Sequence, residues 1–236
     1  MALPVVNGSR YKTVIPSTGT EIEYRPYNVG EEKLLMIALE SKDQKMIIRT
    51  LKDVIKACVF ENIDMDRFTT FDTEKLFLAL RSKSVGEIVD LELKCLDKEC
   101  NAVTPIQINL EEINLTDLPE SNTVIIDKDI GVTLRYPGIV DVEKYEEEFL
   151  QSSEGAFDLI IDCMDTIFDE QGVYDCKEEP RESIVAFIEN LSSAQFKKIS
   201  SYFENIPTLT HNAEYKCVKC GKENNLELKG LQSFFT

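Results

Sequence analysis

Two stretches with the same order of residues decide how this chain folds: KCLDKECNAVTPIQINL at residues 94–110 and KCVKCGKENNLELKGL at residues 216–231. In each case an alternating apolar and polar segment leads to Lys-Cys, a short gap, a second Cys, a polar linker and another alternating segment. Alternation with a period of two is typical of a strand with one buried face. Each stretch therefore predicts a β-hairpin that carries its cysteines at the tip.

The spacing of these cysteines favours a metal site. Cys95 and Cys100 form a C-x4-C pair, and Cys217 and Cys220 form a C-x-x-C pair followed by Gly221, which permits a left-handed turn. Two such tips supply the four thiolates of one tetrahedral zinc ion, and a tetrathiolate zinc is structural because it leaves no position open for water. Since 116 residues lie between Cys100 and Cys217, a shared Zn²⁺ would join the middle of the chain to its end.

Three other interpretations of these cysteines remain open at the level of sequence. Both pairs could lack a metal, or Cys217 and Cys220 could form a redox pair. A thioredoxin-like pair stands before a helix in a βαβ unit, whereas the residues after Cys220 predict a strand. The third interpretation places the single histidine, His211, at the metal in place of one thiolate.

The sequence does not predict an enzyme. No nucleophile elbow, phosphate-binding loop, dinucleotide-binding glycine pattern or zinc-protease motif is present. Cys58, Cys163 and Cys176 have no histidine close in sequence, and we interpret them as buried free thiols. An unrecognised hydrolase is the remaining catalytic hypothesis.

The composition limits the classes of partner. The chain has 236 residues, 43 of them acidic and 26 basic, which gives a formal net charge of −17. Such a charge repels phosphate backbones and anionic membranes, so we expect neither nucleic acid nor membrane as the main partner. No secretory signal and no apolar run of about 20 residues is evident, which predicts reduced cysteines.

The periodicity predicts an α+β fold in which helical segments pack with antiparallel hairpins, and the two cysteine tips form a zinc-ribbon-like clasp. We expect an extended N-terminal arm at 1–30, then helices, the first cysteine hairpin and further strands at 31–136. A helical segment follows at 137–207, and the second cysteine hairpin with an apolar tail occupies 208–236. Residues 31–236 are expected to form one composite domain.

Several individual elements follow from local patterns. Within the arm, a turn through Ser17-Thr18-Gly19 predicts a hairpin. Helices are expected from Gly30, across an apolar stripe that ends at Cys58, and after Asp72, which could serve as an N-cap. Further strands are expected at Thr123–Ile126 and Gly131–Tyr136.

The segment from Val140 to about Ile206 is expected to be helical throughout. Its second helix would carry an apolar stripe of Phe157, Ile160, Ile161, Met164 and Phe168. The opposite face would hold an acidic row of Asp158, Asp162, Asp165 and Asp169. This row could be a solvated helix face, a docking surface for a basic partner, or an array of carboxylates that binds a metal. Ser192 to Gln195 forms a capping box at the start of the last helix.

The sequence resembles the baseplate hub assembly proteins of T-even-type contractile-tailed bacteriophages. The resemblance lies in LPVVNGSRYKTVIPSTGTEIEYRPYNVGEEKLLMIALES at 3–41, LFLALRSKSVGEIVDLELKC at 76–95 and YKCVKCGKENNLELKGLQSFF at 215–235. It implies a non-enzymatic protein that helps to build the tail hub in the infected host cytoplasm, as an assembly chaperone or as a subunit of the virion baseplate. Its partners would be other baseplate and hub proteins, in an oligomeric state that the resemblance does not specify.

Two alternatives stand beside this interpretation. A zinc-ribbon regulator could contact nucleic acid or a polymerase through a basic patch of Lys94, Lys98, Lys216, Lys219 and Lys222. The N-terminal arm and the terminal pair Phe234 and Phe235 could dock on a neighbouring protein or pack on their own core.

Overall fold

The structure, a computed structural model, describes residues 8–119, 121–145, 149 and 152–234. It combines α-helices with antiparallel hairpins, which is the predicted α+β class. The chain divides into two compact units. The first unit comprises Met1–Met65, Phe71–Thr116 and Thr208–Thr236, and the second comprises Asp66–Thr70 and Asp117–Pro207.

The first unit begins with the predicted hairpin. Strands β1 (Tyr11–Ile15) and β2 (Thr20–Tyr24) pair antiparallel. The turn between them includes Gly19 at a φ of 68°, a conformation that glycine adopts at low cost. The side chain of Tyr24 is buried, and its hydroxyl donates to the Ala79 carbonyl at 3.3 Å. The described part of the N-terminal arm therefore packs on its own unit.

Three helices follow at or near their predicted positions: α1 (Val29–Ser41), α2 (Gln44–Cys58) and α3 (Thr70–Ser84). Asn28 and Glu31 form a capping box at the start of α1, and Asp43 caps α2. The buried residues of α2 are Ile48, Val54, Ile55 and Cys58, all members of the predicted apolar stripe.

The prediction that Asp72 caps α3 is wrong. The helix begins two residues earlier, and Asp72 lies buried in its first turn. There its carboxylate accepts a hydrogen bond from the Ser17 amide at 2.8 Å. A carboxylate near a helix N-terminus is favoured by the helix dipole, so Asp72 stabilises the start of α3 without occupying the cap position.

Two hairpins complete the first unit and form one core. Strands β3 (Ile88–Lys94) and β4 (Val103–Asn109) pair antiparallel. Strands β10 (Leu209–Lys216) and β11 (Glu223–Lys229) also pair antiparallel, and β5 (Asn114–Leu115) adds to β10. Residues from both hairpins, from α3 and from the segments that follow β4 and β11 form one buried cluster: Leu78, Leu91, Ile108, Leu110, Ile113, Leu209, Ala213, Leu228 and Phe234.

Phe234 resolves one of the alternatives for the C-terminal tail. Its side chain is fully buried in this cluster and packs on its own core. The second member of the predicted pair, Phe235, lies outside the described residues.

The second unit is a four-stranded antiparallel sheet with helices. Its strands are β6 (Thr123–Ile125), β7 (Gly131–Leu134), β8 (Met164–Asp169) and β9 (Gly172–Asp175), in that order across the sheet. Its helices are α4 (Ile139–Lys144), α5 (Ser153–Asp162), α6 (Arg181–Glu189) and α7 (Ser193–Glu204). The predicted capping box of Ser192 and Gln195 opens α7.

The prediction of continuous helix from Val140 to Ile206 is wrong, because β8 and β9 interrupt it. Cys163 ends α5, and the chain then pairs with β7. The turn before β9 is closed by the Asp169 carboxylate, which accepts hydrogen bonds from the amides of Gln171 and Gly172 at 2.8 and 3.1 Å. Met164 and Phe168 therefore lie on a strand rather than on the helical stripe. A short apolar run is compatible with the period of a helix and with that of a strand, and here pairing with β7 favours the strand.

The acidic row is consequently not one helix face. Asp158 and Asp162 lie on α5, whereas Asp165 and Asp169 lie on β8. The Asp162 carboxylate is engaged by Lys144, Tyr145 and Arg181. The predicted continuous acidic surface does not form, because the chain changes from helix to strand within the row.

Candidate metal centre

The tips of the β3–β4 and β10–β11 hairpins bring four cysteine sulfurs together. The Sγ atoms of Cys95, Cys100, Cys217 and Cys220, hereafter the four-cysteine cluster, all lie within 4.8 Å of one another. Sγ of Cys95 is 3.7 Å from Sγ of Cys220, and Sγ of Cys100 is 3.7 Å from Sγ of Cys217. Each of these close pairs joins one hairpin to the other.

The two tips are built in the same way. The Cys95 amide donates to the Ala102 carbonyl at 2.8 Å, and the Cys217 amide donates to the Lys222 carbonyl at 2.9 Å. In both tips the residue directly after the second cysteine adopts a positive φ, which is 48° at Asn101 and 71° at Gly221. Asparagine and glycine are the residues that enter this region most readily. The similarity of the two sequence stretches therefore corresponds to a similar local geometry.

Polar side chains between the hairpins hold the two tips against each other. The buried Asn224 side chain accepts from the Leu96 amide at 2.9 Å and donates to the Lys222 carbonyl at 2.9 Å. The Val218 amide donates to the hydroxyl of buried Thr104 at 3.3 Å.

Asn224 and Thr104 were not predicted from the sequence, although the sequence carries a signal for both. Asn224 is in phase with Leu226 and Leu228 on β11, and Thr104 is in phase with Ile106 and Ile108 on β4. A polar residue at an inward-facing position of an alternating strand must find a hydrogen-bond partner when buried.

The backbone around the four-cysteine cluster favours a thiolate at one position. Amide N–H groups of Cys220 and Lys219 lower the pKa of the Cys217 thiol to about 6. At Cys100 the Ala102 amide favours the thiolate, but desolvation and the neighbouring thiols of Cys220 and Cys217 outweigh it and raise the pKa to about 11. Four adjacent thiols cannot all ionise without a compensating cation.

Two of the six distances between the four sulfurs match the edge of a tetrahedral zinc site. Zinc–sulfur bonds of about 2.3 Å place the corners of a tetrahedron about 3.8 Å apart. The two cross-hairpin separations of 3.7 Å match this edge. Four thiolates would complete the coordination shell, so such an ion could support the fold but could not activate a water molecule.

The other residues considered as ligands or reactive groups lie elsewhere. His211 is on β10, where it pairs with Leu228, and it is not part of the four-cysteine cluster. Cys58, Cys163 and Cys176 are buried free thiols, as predicted. In the part of the chain that the structure describes, the four-cysteine cluster is the one group of three or more potential metal ligands that converges.

The five lysines proposed as a basic patch are all exposed. Lys222 forms an ion pair with Asp97 at 3.4 Å, so acidic residues are interspersed with the basic ones at the tips. Separately, none of the helices in the described residues is long and apolar enough to cross a bilayer.

Comparisons with known proteins agree with the resemblance noted from the sequence motifs. A family model described as "T4 bacteriophage base plate protein" matches residues 9–236. A curated relative, "Baseplate hub assembly protein gp26" of Enterobacteria phage T4, is 26% identical over 218 residues, which cover 91% of this chain and 92% of the relative. No solved structure matches. Because the family match spans nearly the whole chain, this protein belongs to the T4 bacteriophage base plate protein family.

Proposed function

We propose that this protein acts in baseplate hub assembly through contacts with other baseplate proteins, without catalysing a reaction. The main support for this proposal is the family match over residues 9–236, and the role named for the relative in phage T4 agrees with it. Assembly would take place in the host cytoplasm, with the protein serving as a chaperone or remaining in the tail baseplate as a subunit.

A structural Zn²⁺ on the four-cysteine cluster is the second part of the proposal. Support comes from the four sulfurs within 4.8 Å of one another and from the cross-hairpin hydrogen bonds that position the tips. When bound, such an ion contributes folding free energy, on the order of 10 kcal/mol in isolated zinc-finger peptides. Here it would stabilise the association of β3–β4 with β10–β11.

The charge of the protein supports protein partners over nucleic acid. A net charge of −17 weakens phosphate contacts, and the lysines at the cysteine tips are interspersed with Asp97, Glu99 and Glu223. Binding of a labelled DNA or RNA duplex at physiological ionic strength would favour the zinc-ribbon regulator in place of the assembly role.

The assembly role is tested by genetics and reconstitution together. A phage that lacks this gene should fail to complete its baseplate hub, and the wild-type gene supplied from a plasmid should restore plaque formation. The purified protein should also bind at least one purified hub protein of the same phage. Normal hubs in the deletion phage would contradict the assembly role.

The zinc site is tested independently of the assembly role. The chain purified without chelator should contain one zinc per molecule by elemental analysis, and Cys217→Ser should lower this content severalfold. Cys176→Ala is the matched control, since it removes a buried thiol outside the four-cysteine cluster and should leave the zinc content unchanged. A wild-type chain that folds without any metal would refute the site.

A further inference from the structure

Helix α1 carries a stripe of exposed residues at helical spacing. Val29, Met36 and Ile37 are 81%, 57% and 42% exposed, and Lys33 and Glu40 are exposed between and beyond them. These five positions follow the spacing i, i+4, i+7, i+8 and i+11, which places them on one side of an α-helix. Leu34 and Leu39 are exposed on other sides of α1, at 54% and 62%, and five large exposed apolar side chains on one helix are unusual in a monomeric protein.

The opposite side of α1 holds the helix on the first unit. Ala38 is only 1% exposed, and Glu31 forms an ion pair with Arg25 at 2.7 Å. A capping box with Asn28 fixes the start of the helix. The exposed stripe therefore belongs to an anchored helix, so its residues are presented in a fixed arrangement.

The charges in the stripe are complementary to those of the same stripe on a second copy of α1 in antiparallel orientation. If two copies of α1 pack antiparallel about a twofold axis between positions 36 and 37, Met36 meets Ile37 of the second copy. Lys33 then meets Glu40 of the second copy, and by symmetry the same contact forms twice. A parallel arrangement would instead oppose Lys33 to Lys33 and Glu40 to Glu40, which is unfavourable.

We propose that α1 is a homodimer interface at which two copies of this protein pack antiparallel along the stripe of Val29, Lys33, Met36, Ile37 and Glu40. A second copy would bury Met36 and Ile37 and would also place an opposite charge beside both Lys33 and Glu40. A uniformly basic or acidic partner surface would satisfy only one of the two charges. This inference concerns self-association and goes beyond the proposed assembly role.

The size of the interface sets its expected strength. One helix face per copy lies at the small end of specific interfaces, so the dimer should be weak and reversible, with a dissociation constant in the ~µM range. The net charge of −17 per copy opposes association at long range, whereas the Lys33–Glu40 contacts act at short range. Raising the salt concentration from very low to physiological should therefore strengthen the dimer, because salt screens the long-range repulsion.

Sedimentation equilibrium of the purified full-length chain tests the interface. Ile37→Ser should weaken self-association by about tenfold or more, since it removes an apolar contact in both copies. Lys33→Glu alone and Glu40→Lys alone should each weaken it severalfold, whereas the double reversal Lys33→Glu with Glu40→Lys should restore it to within about twofold of wild type.

The matched control is Val173→Ser on β9, which alters a side chain that is 72% exposed outside α1. It should not change the association, and circular dichroism should verify that all variants fold. A wild-type chain that stays monomeric at all concentrations, a dimer that Ile37→Ser leaves intact, or a double reversal that fails to restore association would overturn the proposal. Because this experiment uses the purified chain alone, its outcome is separate from that of the phage assembly experiment.

Discussion

The two units join distant parts of the chain by different kinds of interaction. In the first unit, residues near 95–100 meet residues near 217–220 through four sulfurs, and the strands of the same two hairpins contribute to an apolar core. In the second unit, the sheet and its helices share one large apolar cluster and are joined further by ion pairs. The four sulfurs of the first unit are suited to binding a cation, whereas the ion pairs of the second unit form between the protein's own side chains.

The ion pair of Arg135 and Asp141 illustrates the second arrangement. The guanidinium donates to both oxygens of the Asp141 carboxylate at 2.5 and 2.8 Å and to the Asp162 carbonyl at 2.7 Å. The same carboxylate accepts from the Gly138 amide at 2.7 Å. Hydrogen bonding to Asp141 raises the pKa of Arg135, so the guanidinium stays protonated in alkaline solution.

The largest expected effect comes from removal of the proposed zinc ion. Treatment with a high-affinity chelator should increase amide exchange in β3–β4 and β10–β11 by about 10,000-fold or more, because structural zinc contributes more than about 5 kcal/mol to local stability. Strands β7 and β8 of the second unit should keep their protection. Cys95→Ser should reproduce the effect without chelator. Equal loss of protection in both units, or in neither, would remove the distinction between them.

A smaller effect is expected from the core of the second unit. Leu134 is fully buried in its apolar cluster, so Leu134→Ala should lower the free energy of unfolding by about 2–5 kcal/mol in urea denaturation. Zinc content should stay at the wild-type level, since Leu134 belongs to the other unit. Loss of zinc in this variant would indicate that the metal site depends on the second unit.

The smallest expected effect depends on pH and concerns Glu31 in the first unit. Its carboxylate accepts from both terminal nitrogens of Arg25, at 2.8 and 2.7 Å, and hydrogen bonding to Arg25 lowers the pKa of Glu31. A lowered folded-state pKa contributes stability above the unfolded-state pKa of about 4.3, and this contribution disappears as the pH falls through the lower folded-state value.

Comparison of wild type with Glu31→Gln tests this expectation. The wild type should be more stable by about 1 kcal/mol at pH 7, and the difference should shrink toward zero in acid. The exposed Glu178→Gln is the control, and it should follow the wild type at both pH values. A difference that stays constant across this range would show that the charge of Glu31 does not contribute.

The elements that the sequence predicted well are those with a strong local signal. The α2 stripe, the capping box at Ser192 and both cysteine hairpins were all found where the pattern placed them. The failures lie where two local interpretations compete. Aspartate is favourable both at the N-cap and in the first turn of a helix, so Asp72 fits either position. The segment Met164–Asp169 is compatible with a helix or with a strand.

The sequence by itself determined that four cysteines stand at two hairpin tips, because strand alternation and the glycine after Cys220 are local properties of the chain. Tertiary structure alone decided which sulfurs pair across the hairpins and that Asn224 and Thr104 join the tips. It also decided that β8 pairs with β7. The physical reason is that burial and strand pairing depend on residues far apart in sequence, and their free energy outweighs the small local preferences.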